Sequence, residues 1–67
     1  MKLSARNQLS GTVKTTKMGS VMAEVSVGVD ASTIVAAITR ASAKSLDLKE
    51  GDKVTVVIKA TEIMIAK

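Results

Sequence analysis

Alternation of apolar and polar positions is the clearest pattern along the chain. Between residues 21 and 29, Val or Ala occupies every odd position, and Met, Glu, Ser and Gly occupy the even ones. This period of two is typical of a strand that is buried on one face. Residues 53–60 alternate in the same way, with Val54, Val56 and Ile58 on one face, whereas residues 3–16 alternate only loosely. We predict a strand in each segment.

Turn and cap signals separate further elements. Residues 30–32 are typical of a turn, and an apolar run at 33–38 predicts another strand. Thr39 can then cap a short helix over residues 40–46, and residues 63–66 form a last apolar run. Five short strands, with a helix between the third and fourth, predict an all-β fold, a five-stranded OB-like Greek-key barrel.

Composition indicates that this barrel associates with copies of itself. A chain of 67 residues allows one domain, expected over residues 1–67,. Domains this small usually need disulfides, a metal or partner subunits. The chain has no Cys and no His, the commonest metal ligand,. Apolar residues make up 46% of it without one aromatic, so we expect subunit interfaces to cover part of this surface.

The net charge of +4 fits an anionic partner, although ordinary solubilising charge explains it as well. Charge alone leaves nucleic acid, a membrane surface and a small anion open as partners.

No segment approaches the roughly 20 apolar residues of a membrane span, and the first residues lack an apolar signal core. We therefore expect a cytoplasmic protein. OB-fold proteins stack single-stranded nucleic acid on aromatic side chains, which this chain lacks, so that partner is disfavoured.

The sequence has few of the side chains that catalyse reactions or bind a bare metal ion. The sequence offers no Cys or His as nucleophile or base and no Gly-rich phosphate loop,, so we expect no enzyme. One DNA-binding alternative stays open. Residues 46–54 resemble the loop and strand of swapped-hairpin transcription factors of the AbrB type, although a generic turn before a strand explains them too.

A cluster of hydrogen-bond donors near the start of the chain suggests a small anion as the partner. Ser4 and Arg6 are two residues apart, so on a strand they project from the same face. A hydroxyl beside a guanidinium makes an oxyanion clamp, because Arg supplies a rigid fork of donors. Asn7 adds an amide beside them. The structural alternative is a solvated edge strand.

Two further donor clusters follow along the chain. Lys59 and Ala60 end the fourth predicted strand, with the lysine off its apolar face. Thr39 and Ser42 begin the short helix, where free backbone N–H groups favour an anion. A surface lysine and a plain helix cap are the respective structural alternatives.

Together the three clusters resemble the molbindin family, the small molybdate-binding (Mop) domains. Residues 4–9, followed by Gly11, resemble the opening signature of that family, and residues 59–64 resemble its closing one. Ile38-Thr39 with Ser42 is similar to its middle motif. Residues 19–25 also have the character of the family, so the resemblance covers nearly the whole chain.

The resemblance implies a homohexamer, a trimer of dimers, that binds molybdate or tungstate between subunits and needs no organic cofactor. One subunit would supply the donors of the opening and closing clusters, namely Ser4, Arg6, Asn7, Lys59 and the backbone N–H of Ala60. Its neighbour would supply two hydroxyls, Thr39 and Ser42. A second kind of site would lie near the threefold axis, where a turn offers backbone donors, namely Gly19, Ser20 and Val21.

The chemistry of the ligand predicts a site made of donors. Molybdate is a dianion with four acceptor oxygens, whereas monohydrogen phosphate carries a proton that needs an acceptor, and leaving it unpaired costs about 1–3 kcal/mol. Sulfate must be rejected by size. We expect an intracellular oxyanion store or buffer. A sensing or assembly module of a larger regulator is the further alternative, and the initiating Met and the lack of a linker disfavour it.

Overall fold

Four antiparallel strands and one short helix make up residues 7–67, the part of the chain that the computed structural model describes. In chain order the elements are β1 (Asn7–Met18), β2 (Met22–Val29), β3 (Ser32–Thr39), α1 (Arg40–Ser45), β4 (Lys53–Ile58) and a 3₁₀ turn (Ala60–Glu62). The strand order across the sheet is β3-β2-β1-β4. The connection through α1 therefore carries the chain from one edge of the sheet to the other.

The alternation in β2 and β4 predicts their faces correctly. Val25 and Val27 are buried in an aliphatic core with Val13 of β1, and Val54 and Val56 of β4 pack against them. We call this side of the sheet the inner face and the opposite side the outer face. The chain lacks aromatic residues, so short branched side chains fill the core,.

A β-bulge explains why the alternation in β1 is loose. The register with β2 shifts between Val13 and Thr15. Leu9 and Val13 face inward before the bulge, whereas after it Thr16 and Met18 take the inward positions opposite Val25 and Ala23. One extra residue in a strand moves every later side chain to the other face.

β1 also has different neighbours along its length. Residues 7–12 pair with β4, and residues 12–18 pair with β2. Within the described sheet, Thr12 is the one residue of β1 that has register partners on both sides. The two halves of the sheet are thus joined through the middle of one strand.

The predicted helix is present, one residue shorter than expected. Thr39 caps it by accepting a hydrogen bond from the backbone N–H of Ser42, and Leu46 ends it. Ala43 packs inward and is buried. Gly51, in the following turn, has φ of +88°, a left-handed conformation that glycine adopts without steric cost. The turn then leads into β4.

The prediction of a fifth strand at 63–66 is wrong for the single chain. These residues follow the 3₁₀ turn without regular structure, and Met64 and Ile65 are 92% and 91% exposed. A strand needs a neighbour for its backbone N–H and C=O groups, and no described strand of this chain lies beside them. The barrel accordingly stays open between β3 and β4.

The gap between those two edge strands is apolar. It has a volume of about 240 Å³, and its lining includes Ile38, Leu46, Leu48 and Val56. We call it the open seam. Leu46 is 67% exposed there, which is a large exposure for a leucine beside a core. Among the described residues, no helix is long and apolar enough to cross a bilayer.

Candidate functional site

The fold brings Asn7 of the opening donor cluster to the closing donor cluster. Asn7 starts β1 opposite Ile58, the last residue of β4, and its Nδ2 donates to the Ile58 carbonyl oxygen at 3.3 Å. Lys59 and Ala60 follow Ile58 directly. Ser4 and Arg6, which precede Asn7, lie outside the described residues, so their side chains are not placed here.

Lys59 and Ala60 present a charge and a backbone donor at this end of the sheet. Lys59 is exposed and extended, with φ of −68° and ψ of 131°, and its carbonyl oxygen accepts from the Glu62 N–H at 2.9 Å. Ala60 begins the 3₁₀ turn, where the first N–H groups have no partner within the turn. The ion pair found within residues 7–67 joins Lys49 to Asp47, so in this part of the chain no carboxylate pairs with Lys59.

Thr39 and Ser42 form a connected pair of hydroxyls at the start of α1. The Ser42 N–H donates to Thr39 Oγ1 at 3.1 Å, and Thr39 Oγ1 donates to Ser42 Oγ at 2.8 Å. The hydroxyl hydrogen of Thr39 is therefore used within the protein. A serine hydroxyl can accept and donate at once, so the hydrogen of Ser42 remains available to an external acceptor.

One chain does not bring this hydroxyl pair to Asn7 and Lys59. Thr39 pairs with Met22 on β2, at the end of β1 that is remote from Asn7. β1 has 12 residues, and at about 3.3 Å per residue its ends would be roughly 35 Å apart if it were straight. Within residues 7–67, no hydrogen bond or ion pair joins Thr39 or Ser42 to Asn7 or Lys59. The two donor groups are therefore separate in a single chain.

The turn over residues 19–21, the second predicted site, lies against the start of α1. Arg40 Nη1 donates to the Gly19 carbonyl oxygen at 3.1 Å, and the Arg40 N–H donates to the Val21 carbonyl oxygen at 2.7 Å. The Gly19 N–H already donates to the Met22 carbonyl oxygen at 2.7 Å. The backbone N–H of Gly19, one of the donors predicted for the second site, is therefore already used within the chain.

A shallow cleft of about 490 Å³ at that turn contains two cations that the sequence analysis did not assign. Its lining includes Ser20, Val21, Thr39, Arg40 and Lys44. Arg40 and Lys44 are four residues apart, so they lie on one face of α1, a spacing visible in the sequence. The second predicted site and the Thr39 cluster thus share one cleft.

Residues 46–54, the basis of the DNA-binding alternative, form an ordinary turn before a strand. The Lys49 N–H donates to Asp52 Oδ2 at 2.9 Å. Val13 of β1 exchanges backbone hydrogen bonds with the same turn, donating to the Asp52 carbonyl oxygen and accepting from the Gly51 N–H. The segment is thus tied into its own sheet. Within residues 7–67, no group of three or more His, Cys, Asp or Glu residues could hold a metal ion.

Comparison with known proteins assigns the family. The model of the TOBE domain matches residues 3–65. Molybdenum-pterin-binding protein 3 of Clostridium pasteurianum is 42% identical over 66 residues, which are 97% of this chain and 97% of that protein. The molybdenum transport protein ModE of Azotobacter vinelandii is also 42% identical over 66 residues, but these are only 24% of its length. The resemblance to molbindins is therefore confirmed, and the AbrB alternative has no support.

Solved structures confirm the OB-like fold class. A molybdate-binding protein from Sporomusa ovata superimposes with a TM-score of 0.96 and 48% identity over 100% of both chains. MopII from Clostridium pasteurianum gives 0.92 and 40% identity over 98% of this chain and all of that one. ModG, described as a cytoplasmic molybdate-binding protein with molybdate bound, gives 0.83 and 43% identity over 90% of this chain and 43% of its own. The chain belongs to the TOBE domain family, among the Mop-type molybdate-binding domains.

Proposed function

We propose that the chain binds molybdate, and tungstate through the same contacts, as a dianion held between subunits of a homohexamer. The observation that carries this proposal is the match over its whole length to the molybdate-binding protein of Sporomusa ovata, with a TM-score of 0.96. Molybdenum-pterin-binding protein 3 matches over 97% of its own length, and MopII superimposes over its whole chain with a TM-score of 0.92. The donor clusters supply the chemistry that such a ligand requires.

The primary site takes donors from two subunits. Ser4, Arg6, Asn7, Lys59 and the Ala60 N–H come from one subunit. Asn7 uses one amide hydrogen on Ile58, which leaves the second for the anion. The neighbouring subunit supplies Thr39 and Ser42. The separation of these hydroxyls from Asn7 within one chain supports this division, because a complete ring of donors then requires a second copy.

Of the two hydroxyls from the neighbouring subunit, Ser42 contacts the anion and Thr39 orients the Ser42 side chain. The hydroxyl hydrogen of Thr39 is directed at Ser42 Oγ, so Ser42 is the group with a hydrogen to donate outward. A hydrogen bond from a hydroxyl to a charged oxygen contributes about 1.5–3 kcal/mol. The second site, at Gly19, Ser20 and Val21, relies on Arg40 for positive charge.

Selectivity follows from the kinds of groups in the primary site. Its assigned side chains carry hydroxyl, amide, ammonium and guanidinium groups and no carboxylate. Every oxygen of molybdate can accept from such groups, whereas the proton of monohydrogen phosphate finds no carboxylate acceptor. An unpaired buried proton costs about 1–3 kcal/mol, a factor of roughly 5–150 in affinity. Sulfate has the same charge as molybdate and is excluded by its smaller size.

The exposed apolar surface supports assembly. The chain exposes 5349 Å², whereas a compact folded protein of its mass exposes about 4000 Å². The excess includes Met64 and Ile65 at the C-terminal end and Leu46 in the open seam. Residues 63–66 are a short apolar run that suits a strand, and in the described sheet the edge strands β3 and β4 each have a side without a neighbouring strand. We expect residues 63–66 to pair with a neighbouring subunit there.

In the cell we assign the protein to storage and buffering of the oxyanion in the cytoplasm, the compartment in which ModG is described. No catalytic role is proposed. The competing role is that of one module of a larger protein, because ModE contains a similar segment over 24% of its length.

Calorimetric titration with molybdate, tungstate, sulfate and phosphate tests the function, and native mass spectrometry of the same samples tests the assembly. We expect saturable molybdate and tungstate binding to a hexamer, with phosphate at least about fivefold weaker and sulfate also weaker because of its smaller size. If none of the four anions binds, the function is wrong. If molybdate binds to a monomer, the placement of the site between subunits is wrong.

A further inference from the structure

A row of polar residues crosses the outer face of the sheet, away from the proposed molybdate sites. Lys53, Thr12, Gly28 and Thr33 are register partners in successive strands, β4, β1, β2 and β3. Neighbouring strands are about 4.8 Å apart, so the row is roughly 14 Å wide. It crosses the start of β4, whereas Lys59 follows the far end of that strand, about 20 Å along it.

Lys14 lies along this row because of two local features. The β-bulge between Val13 and Thr15 gives Lys14 an unpaired position, and bulges commonly redirect a side chain. Gly28 leaves the necessary space, because a Cβ there would lie 2.6 Å from Lys14 Cε and 3.5 Å from its Nζ. The ammonium donates to Thr33 Oγ1 at 3.2 Å. The side chain of Lys14 is thus held on the sheet.

The row carries positive charge without a paired carboxylate. Lys53 and Lys14 lie on the two sides of Thr12, and within residues 7–67 neither takes part in an ion pair. They line an open cleft of about 410 Å³ together with Ser10, Thr12 and Asp30. We call it the outer-face cleft. A dianionic group above Thr12 would interact favourably with both ammonium groups.

We propose that the outer-face cleft binds a small phosphate monoester. The phosphoryl group sits between Lys14 and Lys53 and accepts from the Thr12 hydroxyl. The carboxylate of Asp30, at the rim, accepts hydrogen bonds from hydroxyl groups on the organic part. It also repels a bare dianion, and the cleft is larger than a tetrahedral oxyanion, so molybdate is a poor fit. This proposal is independent of molybdate binding.

The test is a titration of ¹⁵N-labelled protein with glycerol 3-phosphate at low salt, followed by amide NMR shifts. We expect saturable shifts at Thr12, Lys14, Gly28 and Lys53, and none with glycerol or with sodium chloride of equal ionic strength. Lys14→Gln and Lys53→Gln should each weaken binding about 3- to 10-fold. Lys17→Gln removes an exposed lysine of the same strand outside the cleft and should leave the affinity unchanged.

Inorganic phosphate and molybdate are the comparison ligands. We expect both to shift the same amides more weakly, because neither has an organic part whose hydroxyl groups extend from the phosphoryl position to Asp30 at the rim. Equal affinity for inorganic phosphate would overturn the assignment of a monoester. Shifts spread over all surface lysines, or wild-type affinity in both cleft variants, would overturn the site itself. The dispersion of each variant's spectrum shows directly that it is folded.

Discussion

The hydroxyl pair at the start of α1 allows ligand binding to be separated from folding. In Ser42→Ala the backbone N–H of residue 42 can still donate to Thr39 Oγ1, so the helix cap is retained. Alanine is also the better helix former by about 0.5 kcal/mol, and we expect a stability within roughly 0.5 kcal/mol of wild type. The anion loses one donor. The pair is exposed, so we take the lower limit of about 1.5 kcal/mol for a hydrogen bond to a charged group, which is roughly tenfold in affinity.

Thr39→Val is the matched variant with the opposite expectation. It removes the oxygen that accepts from the Ser42 N–H at 3.1 Å, and loss of such a cap costs about 1 kcal/mol. For a domain of this size that lowers Tm by about 4–8 °C. Ser42 retains its hydroxyl, so molybdate affinity should fall less than in Ser42→Ala.

Thermal unfolding without ligand, at one protein concentration, and calorimetric titration with molybdate give the two measurements for each variant. The concentration must be fixed because assembly itself raises Tm. Wild-type molybdate affinity in Ser42→Ala, or a larger loss of affinity in Thr39→Val, would refute the reasoning that Ser42 is the outward donor.

Four further variants and one control test the remaining parts of the site, the core and the assembly. Arg6→Ala should weaken molybdate binding strongly, and Lys59→Gln should weaken it less. Lys49→Gln is the control and should bind like wild type. If calorimetry finds wild-type affinity in both Arg6→Ala and Lys59→Gln, the clamp is refuted. Val27→Ala deletes two methyl groups from the buried core and should lower the unfolding free energy by about 2 kcal/mol in urea titrations; a loss below about 0.5 kcal/mol would contradict the core assignment. Ile65→Ser should shift native mass spectra from hexamer towards smaller species, since burying an isoleucine contributes about 1.5–3 kcal/mol, and an unchanged hexamer would show that residue 65 stays exposed.

The sequence predicted the strands whose pattern is purely local. β2 and β4 alternate because each has one face on the core, so their inward positions can be counted along the chain. β1 could not be treated in this way, since its bulge at Lys14 depends on how β1 pairs with β2. The strand expected at 63–66 is a continuous apolar run without alternation, and a single chain offers it no partner. Alternation indicates a strand, and pairing decides whether it forms.

Site prediction had a similar limit. β1 and β4 place Asn7 and Lys59 at one end of the sheet, and their role as ligand donors stays a prediction. The contact of Arg40 with the turn at Gly19 was missed because it depends on how α1 packs over the β1–β2 hairpin, and a reading of single motifs does not include such packing. The roles of Ser4 and Arg6 stay predictions.

The division of β1 between two neighbours has a consequence for how the protein opens. The β1–β2–β3 meander is built from contacts close in sequence, which form early in folding, whereas β4 joins only residues 7–12 after a long connection. Amide hydrogens of β4 and of the first half of β1 should therefore exchange with solvent through local opening, whereas those of β2 should exchange only through global unfolding. Asn7 and Lys59 lie in the less protected half. Molybdate binding should then slow exchange there first and leave the rates in β2 nearly unchanged until the ligand raises global stability.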